Sequence, residues 1–129
     1  SGAAGYQHLK DVCGTPQPGR AVRVEWQLPQ GRVVVSHIVS SLAGNFFTAT
    51  GIGYQLTDRV PMVVFRTRAA QVLIAAVHDV TGTGDHIRGS PRLEAVDDKT
   101  IRLTVETADG PHVVQWNCWQ DGREFTVTP

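Results

Sequence analysis

The chain is 129 residues long, with 12 Lys and Arg balanced by 12 Asp and Glu, so its net charge is near zero. That length reads as one domain, able to bury about two thirds of its unfolded surface unaided. The charge balance and the scatter of the cations (only Lys10 and Lys99 are not Arg) argue against nucleic acid and anionic membrane as partners, and no stretch has the length of a membrane span or the layout of a signal peptide.

Ser1–Ala4 reads as a linker or expression scar, and residues 5–129 as a single domain. "GYQHLKDV" runs quickly into "AVRVEWQL", where Val22, Val24, Trp26 and Leu28 alternate with Arg23, Glu25 and Gln27. A period of two predicts a half-buried strand. "PQG" supplies a turn, and "RVVVSHIVS" follows as a β-branched strand. The stretch "SLAGNFFTATGIGYQLTDRVP" is punctuated by glycine, carries Phe46, Phe47 and Tyr54, and fits no single element. Two short apolar runs come next, "PMVVFRT" and "QVLIAAVHDV". No helix cap precedes the second, and Val72, Ile74, Val77 and Val80 predict a buried strand. In "TIRLTVET" the inward residues are Ile101, Leu103 and Val105. Asp109-Gly110 then turns the chain, because a tight hairpin turn favours positive φ. "HVVQWNCW" returns with Val114, Trp116 and Cys118 on one face, and Asp121-Gly122 leads into "REFTVT". The pattern predicts an all-β fold, an antiparallel two-layer β-sandwich.

Candidate chemistry is sparse. His78-Asp79 and Asp85-His86 flank a glycine turn and are suitable metal ligands by type. Sequence neighbours on a strand point to opposite faces, however, so a solvated turn is the expectation and no metal or other cofactor is assigned. "TGTGDHIRG" and "GIGYQL" lack the glycine spacing and the following helix of a nucleotide loop. No serine sits in a nucleophile elbow: Ser36 and His37 are adjacent, and Ser40, Ser41 and Ser90 lie in or beside expected turns. Glu25, Glu94, Glu106 and Glu124 fall on outward phases, so no carboxylate pair faces a cleft. Cys13 and Cys118 match no zinc spacing and read as semi-buried thiols, with a disulfide closing a very long loop as the open alternative. No catalytic residue is assigned.

The order of the segments carries more than any one of them. Tyr6, Leu9, Asp11 and Val12 come first, then Trp26 in a strand and His37 late in the next. A glycine-rich loop, Pro61, Val63 and Arg66 in a "P-x-V-x-x-R" strand, and Val77 in a valine-rich strand follow. From about Gly5 to Val105 this series resembles the C-terminal portion of heparinase II/III-like polysaccharide lyases. The resemblance implies a bacterial, periplasmic or secreted parent acting on acidic, uronate-containing polysaccharide. It implies as partners an N-terminal α/α toroid and a β-domain of the same chain, with "GYQHLKDV" lying mid-chain. The Asn, Tyr, His and Arg residues that perform elimination in that family sit on those other parts. On this reading the present residues form a non-catalytic accessory sandwich, inactive alone, and His37 is a packed histidine with one hydrogen bond.

Substrate contacts are expected at Arg59 and Arg66, whose guanidinium groups suit uronate or sulfate, and at Tyr54 and Trp119, whose rings suit sugar stacking. Two alternatives stay open. One is an independent carbohydrate-binding module, and the other a purely structural or interaction sandwich with an apolar docking patch.

Overall fold

The structure, a computed structural model, describes residues 9–55, 57–117 and 125–128. The strands are β1 (Lys10–Gln27), β2 (Val33–Gly51), β3 (Val60–Arg66), β4 (Ile74–Gly82), β5 (Arg92–Ala95), β6 (Thr100–Thr107), β7 (Gly110–Asn117) and β8 (Phe125–Thr128). A 3-10 turn at Pro29–Gly31 joins the first two. One sheet holds β1, β2 and β3 in that order, with β4 also paired to β2; the other runs β5-β6-β7-β8. The protein is an all-β sandwich of antiparallel sheets, as the alternation predicts. It divides into two compact units, Arg20–Leu42 with Gln71–Pro129 and Ser1–Gly19 with Ala43–Ala70, and β1 and β2 contribute to both.

The larger unit contains the two-sheet core. Antiparallel pairing of β2 with β4 sets Val35 opposite Asp79, His37 opposite Val77 and Val39 opposite Ala75. Val39 clusters with Leu103 and Val105 of β6, and Ala75, Val77, Ile87, Leu93, Val114 and Trp116 pack around them. Ile101, Leu103 and Val105 are buried, as their spacing predicts. Cys118 and the Asp121-Gly122 turn lie outside the described residues. The β6–β7 hairpin turns one residue earlier than expected. Its loop is Ala108-Asp109, and Gly110 (φ +122°) already pairs with Thr107. The Thr107 hydroxyl donates to the Gly110 carbonyl and accepts from the Asp109 N–H, which fixes that register.

One expectation about burial is corrected here, and another is met except at Leu28. The strand from "QVLIAAVHDV" is β4, but it is not buried throughout: Ile74 and Val80 are 52% and 68% exposed, and Val72 is exposed before it begins. A strand packed on one face alone buries alternate residues, and here those are Ala75, Val77 and Asp79. In β1, Val22, Val24 and Trp26 are half-buried and Arg23, Glu25 and Gln27 exposed, while Leu28 lies past the strand's end. The apolar set faces away from the two-sheet core. Trp26 Nε1 donates to Ser36 Oγ, and Ser36 stands opposite His78 on the outer face of β2 and β4.

In the smaller unit β2 continues through the stretch whose structure the sequence left open. Asn45–Gly51 pairs with β3, placing Phe46 opposite Phe65 with ring centroids 4.6 Å apart. Cross-strand aromatic contact of this kind stabilises a strand that propensity alone leaves ambiguous. Gly44 lies against the Phe65 ring and the Arg66 carbonyl, so it has no room for a Cβ, while Gly51 lies against the end of the flexible Met62 side chain. Beyond Gly51, Asp58 shapes the connection to β3: its carboxylate accepts the Gln55 N–H at 2.7 Å, and its own N–H donates to Gln55 O.

Candidate functional site

Two adjoining clefts open in the larger unit between β1, an edge strand, and the segment that leads into β5. One, of about 330 Å³, is walled by Arg23, His37, Ile87 and Ser90. The other, of about 290 Å³, is walled by Arg20, Ser40, Ser41, Arg92 and Glu94. They share Ala21, and Ser90 of one precedes Pro91 of the other, so together they form a groove.

A buried carboxylate builds one wall. Asp79 is 2% exposed. It accepts the Thr81 N–H at 3.0 Å, the Thr81 hydroxyl at 2.6 Å and the His86 N–H at 2.8 Å. Burial pushes its pKa up, but the bonds from Thr81, His86 and the Ile87 N–H outweigh burial and hold it at about 2. Two further bonds tie the same loop to the β6–β7 hairpin, Arg88 N–H to Glu106 O and Ala108 N–H to His86 O. Gly84 turns at φ +76°, where an added Cβ would stand 2.6 Å from Val35. These constraints set Ile87–Ser90 in one place.

Three arginines border the clefts, Arg20 and Arg23 from β1 and Arg92 from β5. Arg20, Arg23 and Arg92 are exposed. Arg23 reaches Glu25 at 2.5 Å and the Gly84 carbonyl at 3.4 Å, whereas Arg20 and Arg92 have no ion-pair partner among the described residues. His37 lies deeper, 4% exposed. Burial first and the Arg23 charge second lower its pKa, against the opposing pull of Asp79, so the imidazole is neutral at neutral pH. The expected hydrogen bond is absent: among the described residues neither ring nitrogen has a partner, and Nε2 is sealed from solvent. The cause is local. Val35, Val39 and Val77 surround it in register, and the nearby Asp79 carboxylate is occupied by the loop.

The expected contact residues lie elsewhere. Tyr54 is fully exposed in the connection between β2 and β3. Arg59 sits in the same connection and donates to the Asp58 carbonyl at 2.8 Å. Arg66 ends β3 opposite Asn45, so seven residues of extended chain, about 23 Å, separate it from Arg59. One sugar unit cannot reach both. Trp119 and Glu124 lie outside the described residues.

Sequence reading missed the groove, because its lining comes from β1, β2 and the Ile87–Glu94 segment, which share no local pattern. It also missed a polar chain on the outer face. Trp26 Nε1–H donates to Ser36 Oγ at 2.8 Å, and that hydroxyl contacts His78 Nδ1 at 2.8 Å. Ser36 is 2% exposed, which withdraws it from attack on any substrate. Ser40 and Ser41 sit within β2 rather than in turns. At the glycine turn, Asp85 accepts from the Thr83 hydroxyl, and His86 stands 3.9 Å from Asp109. Among the described residues no three His, Cys, Asp or Glu side chains gather to hold a metal ion.

Comparison with known proteins adds no relative: no family model matches the chain, and no curated protein or solved structure does either.

Proposed function

We propose that this chain is a non-catalytic accessory β-sandwich of a heparinase II/III-like polysaccharide lyase, supporting the enzyme's other domains in work on acidic, uronate-containing polysaccharide. The observation that carries the reading is the ordered series from Tyr6 to Val77. Its strand-borne members lie on strands in turn, Trp26 on β1, His37 on β2, Pro61 to Arg66 on β3 and Val77 on β4. Elimination next to a uronate carboxylate needs a group to neutralise that carboxylate, a base for the C5 proton and an acid for the leaving oxygen. The described residues assemble no such trio. Exposed apolar side chains on the outer face of the first sheet, Ile74 and Val80 among them, suit a sandwich that packs against further domains.

Domain replacement tests this. A heparinase II/III-like lyase truncated before its own terminal sandwich is expected to lose soluble activity, and grafting residues 5–129 of this chain should restore it. A graft that behaves like the truncation contradicts the proposal. The second reading, an independent carbohydrate-binding module, draws on Tyr54, whose fully exposed ring is open to stacking. It requires that Tyr54→Ala alone abolish sugar binding.

A further inference from the structure

We infer that the outer face of the second sheet is a binding surface for a neutral sugar segment, held through its hydroxyls by Arg92, Glu94, Arg102 and Glu106. The strand register puts these side chains together. Glu94 stands opposite Arg102, which stands opposite Gln115. Arg92 stands opposite Thr104, which stands opposite Val113, and Glu106 lies two residues beyond Thr104. Residues two apart on a strand share a face, so all of them point away from the core that Leu93, Leu103, Val105 and Val114 fill from the other side. Three strands about 4.8 Å apart, with positions about 6.8 Å apart along each, make a patch about 10 Å by 14 Å. It forms an open depression of about 480 Å³, and β5 borders both this depression and the groove.

Glu94 and Arg102 are of opposite sign and directly opposite, the arrangement in which a cross-strand ion pair forms. It does not form. The Arg102 guanidinium donates instead to Gln115 Oε1, at 3.3 and 3.4 Å. Arg92, Glu94 and Glu106 have neither an ion pair nor a side-chain hydrogen bond among the described residues. At the centre Thr104 is 8% exposed, and its hydroxyl has no partner among the described residues either. The face therefore offers open donors on arginine and open acceptors on glutamate, around a buried hydroxyl. An alcohol both donates and accepts, so one set between an Arg and a Glu satisfies each at once. A polyanion meets two carboxylates beside the two guanidinium groups and gains little net attraction. Pro111 and Val113 supply apolar surface for the C–H face of a ring. The choice of a neutral ligand rests on this face alone and not on the function proposed above.

The test uses the intact chain with cellohexaose, maltoheptaose and mannohexaose as neutral probes and oligoguluronate as the anionic control. Amide and side-chain resonances are followed together with equilibrium binding. At least one neutral probe should bind and shift the signals of Arg102, Thr104 and Gln115. E94Q/R102Q should weaken that binding at least ~10-fold, and so should R92Q/E106Q, whose two positions are both exposed and tolerate the change without unfolding. R20Q/R23Q, on β1, should bind like the parent. Unmoved signals with all three neutral probes, or binding lost in Y54A but kept in both double variants, overturns this face as the site. Tighter binding of oligoguluronate than of every neutral probe overturns the neutral assignment. Those failures leave the accessory-domain proposal standing, whereas failure of the domain graft leaves the sheet-face result intact.

Discussion

Asp79 shows how far one side chain can reach. A carboxylate 2% exposed, with bonds to Thr81 and to the His86 and Ile87 N–H groups, stays ionised down to about pH 2. Its folded pKa lies below its ordinary value of 3.8, so its contribution to stability is complete above that value and disappears as pH falls through about 2. Asp79→Asn replaces an acceptor with a donor on one side and leaves loop N–H groups unpaired. A loss of about 3 kcal/mol is expected in urea unfolding at neutral pH, with the steep acid limb between the two values flattened. His37 acts in a higher window. Its folded pKa is lowered from 6.5, so the unfolded state takes up the proton first and stability declines as pH falls below that value. Unfolding free energy measured from pH 8 to pH 5 should show this decline, and Arg23→Gln should shallow it by relieving imidazolium of a neighbouring cation. On the outer face, Trp26→Phe removes the indole donor to Ser36 and should cost about 1 kcal/mol. None of these roles is written in the sequence near the residue itself. Asp79 reads as turn solvation and Ser36 as an idle serine until β4 is set against β2.

The strands divide into those their own residues announce and those their neighbours decide. β6 is fully legible: Ile101, Leu103 and Val105 alternate, and all three are buried. The alternation of β1 is legible too, but not the face it serves. Periodicity reports that one side is apolar, and only pairing with β2 shows that this side carries Trp26 to Ser36 rather than into the two-sheet core. The second half of β2 was not legible, because glycines and small residues interrupt its apolar pattern while the Phe46–Phe65 contact that secures it spans 19 residues. Glycine substitutions probe the loop that follows β4. Gly84→Ala meets both the left-handed backbone and Val35, and should cost about 3 kcal/mol or more; Gly89→Ala, at φ +68° with open space around it, should cost only about 1 kcal/mol. A comparison of thermal unfolding in the two variants separates steric closure at Val35 from backbone strain alone.

At the scale of the molecule, the fold class followed from alternation and turn chemistry, whereas the groove did not. Composition balances 12 cations with 12 acids and says nothing of where on the sheets they stand. Net charge says little about a protein whose field is local. The proposed role uses the fold and one further fact, that the described residues of the sandwich assemble no eliminating trio. The measurement that tests this most directly incubates the chain with heparin, heparan sulfate, chondroitin sulfate and alginate while recording the ultraviolet absorbance of unsaturated uronate. No absorbance should develop with any polymer, because no group among the described residues is placed to take the C5 proton. A steady rise with any one of them would contradict the account and make His37 the first residue to replace.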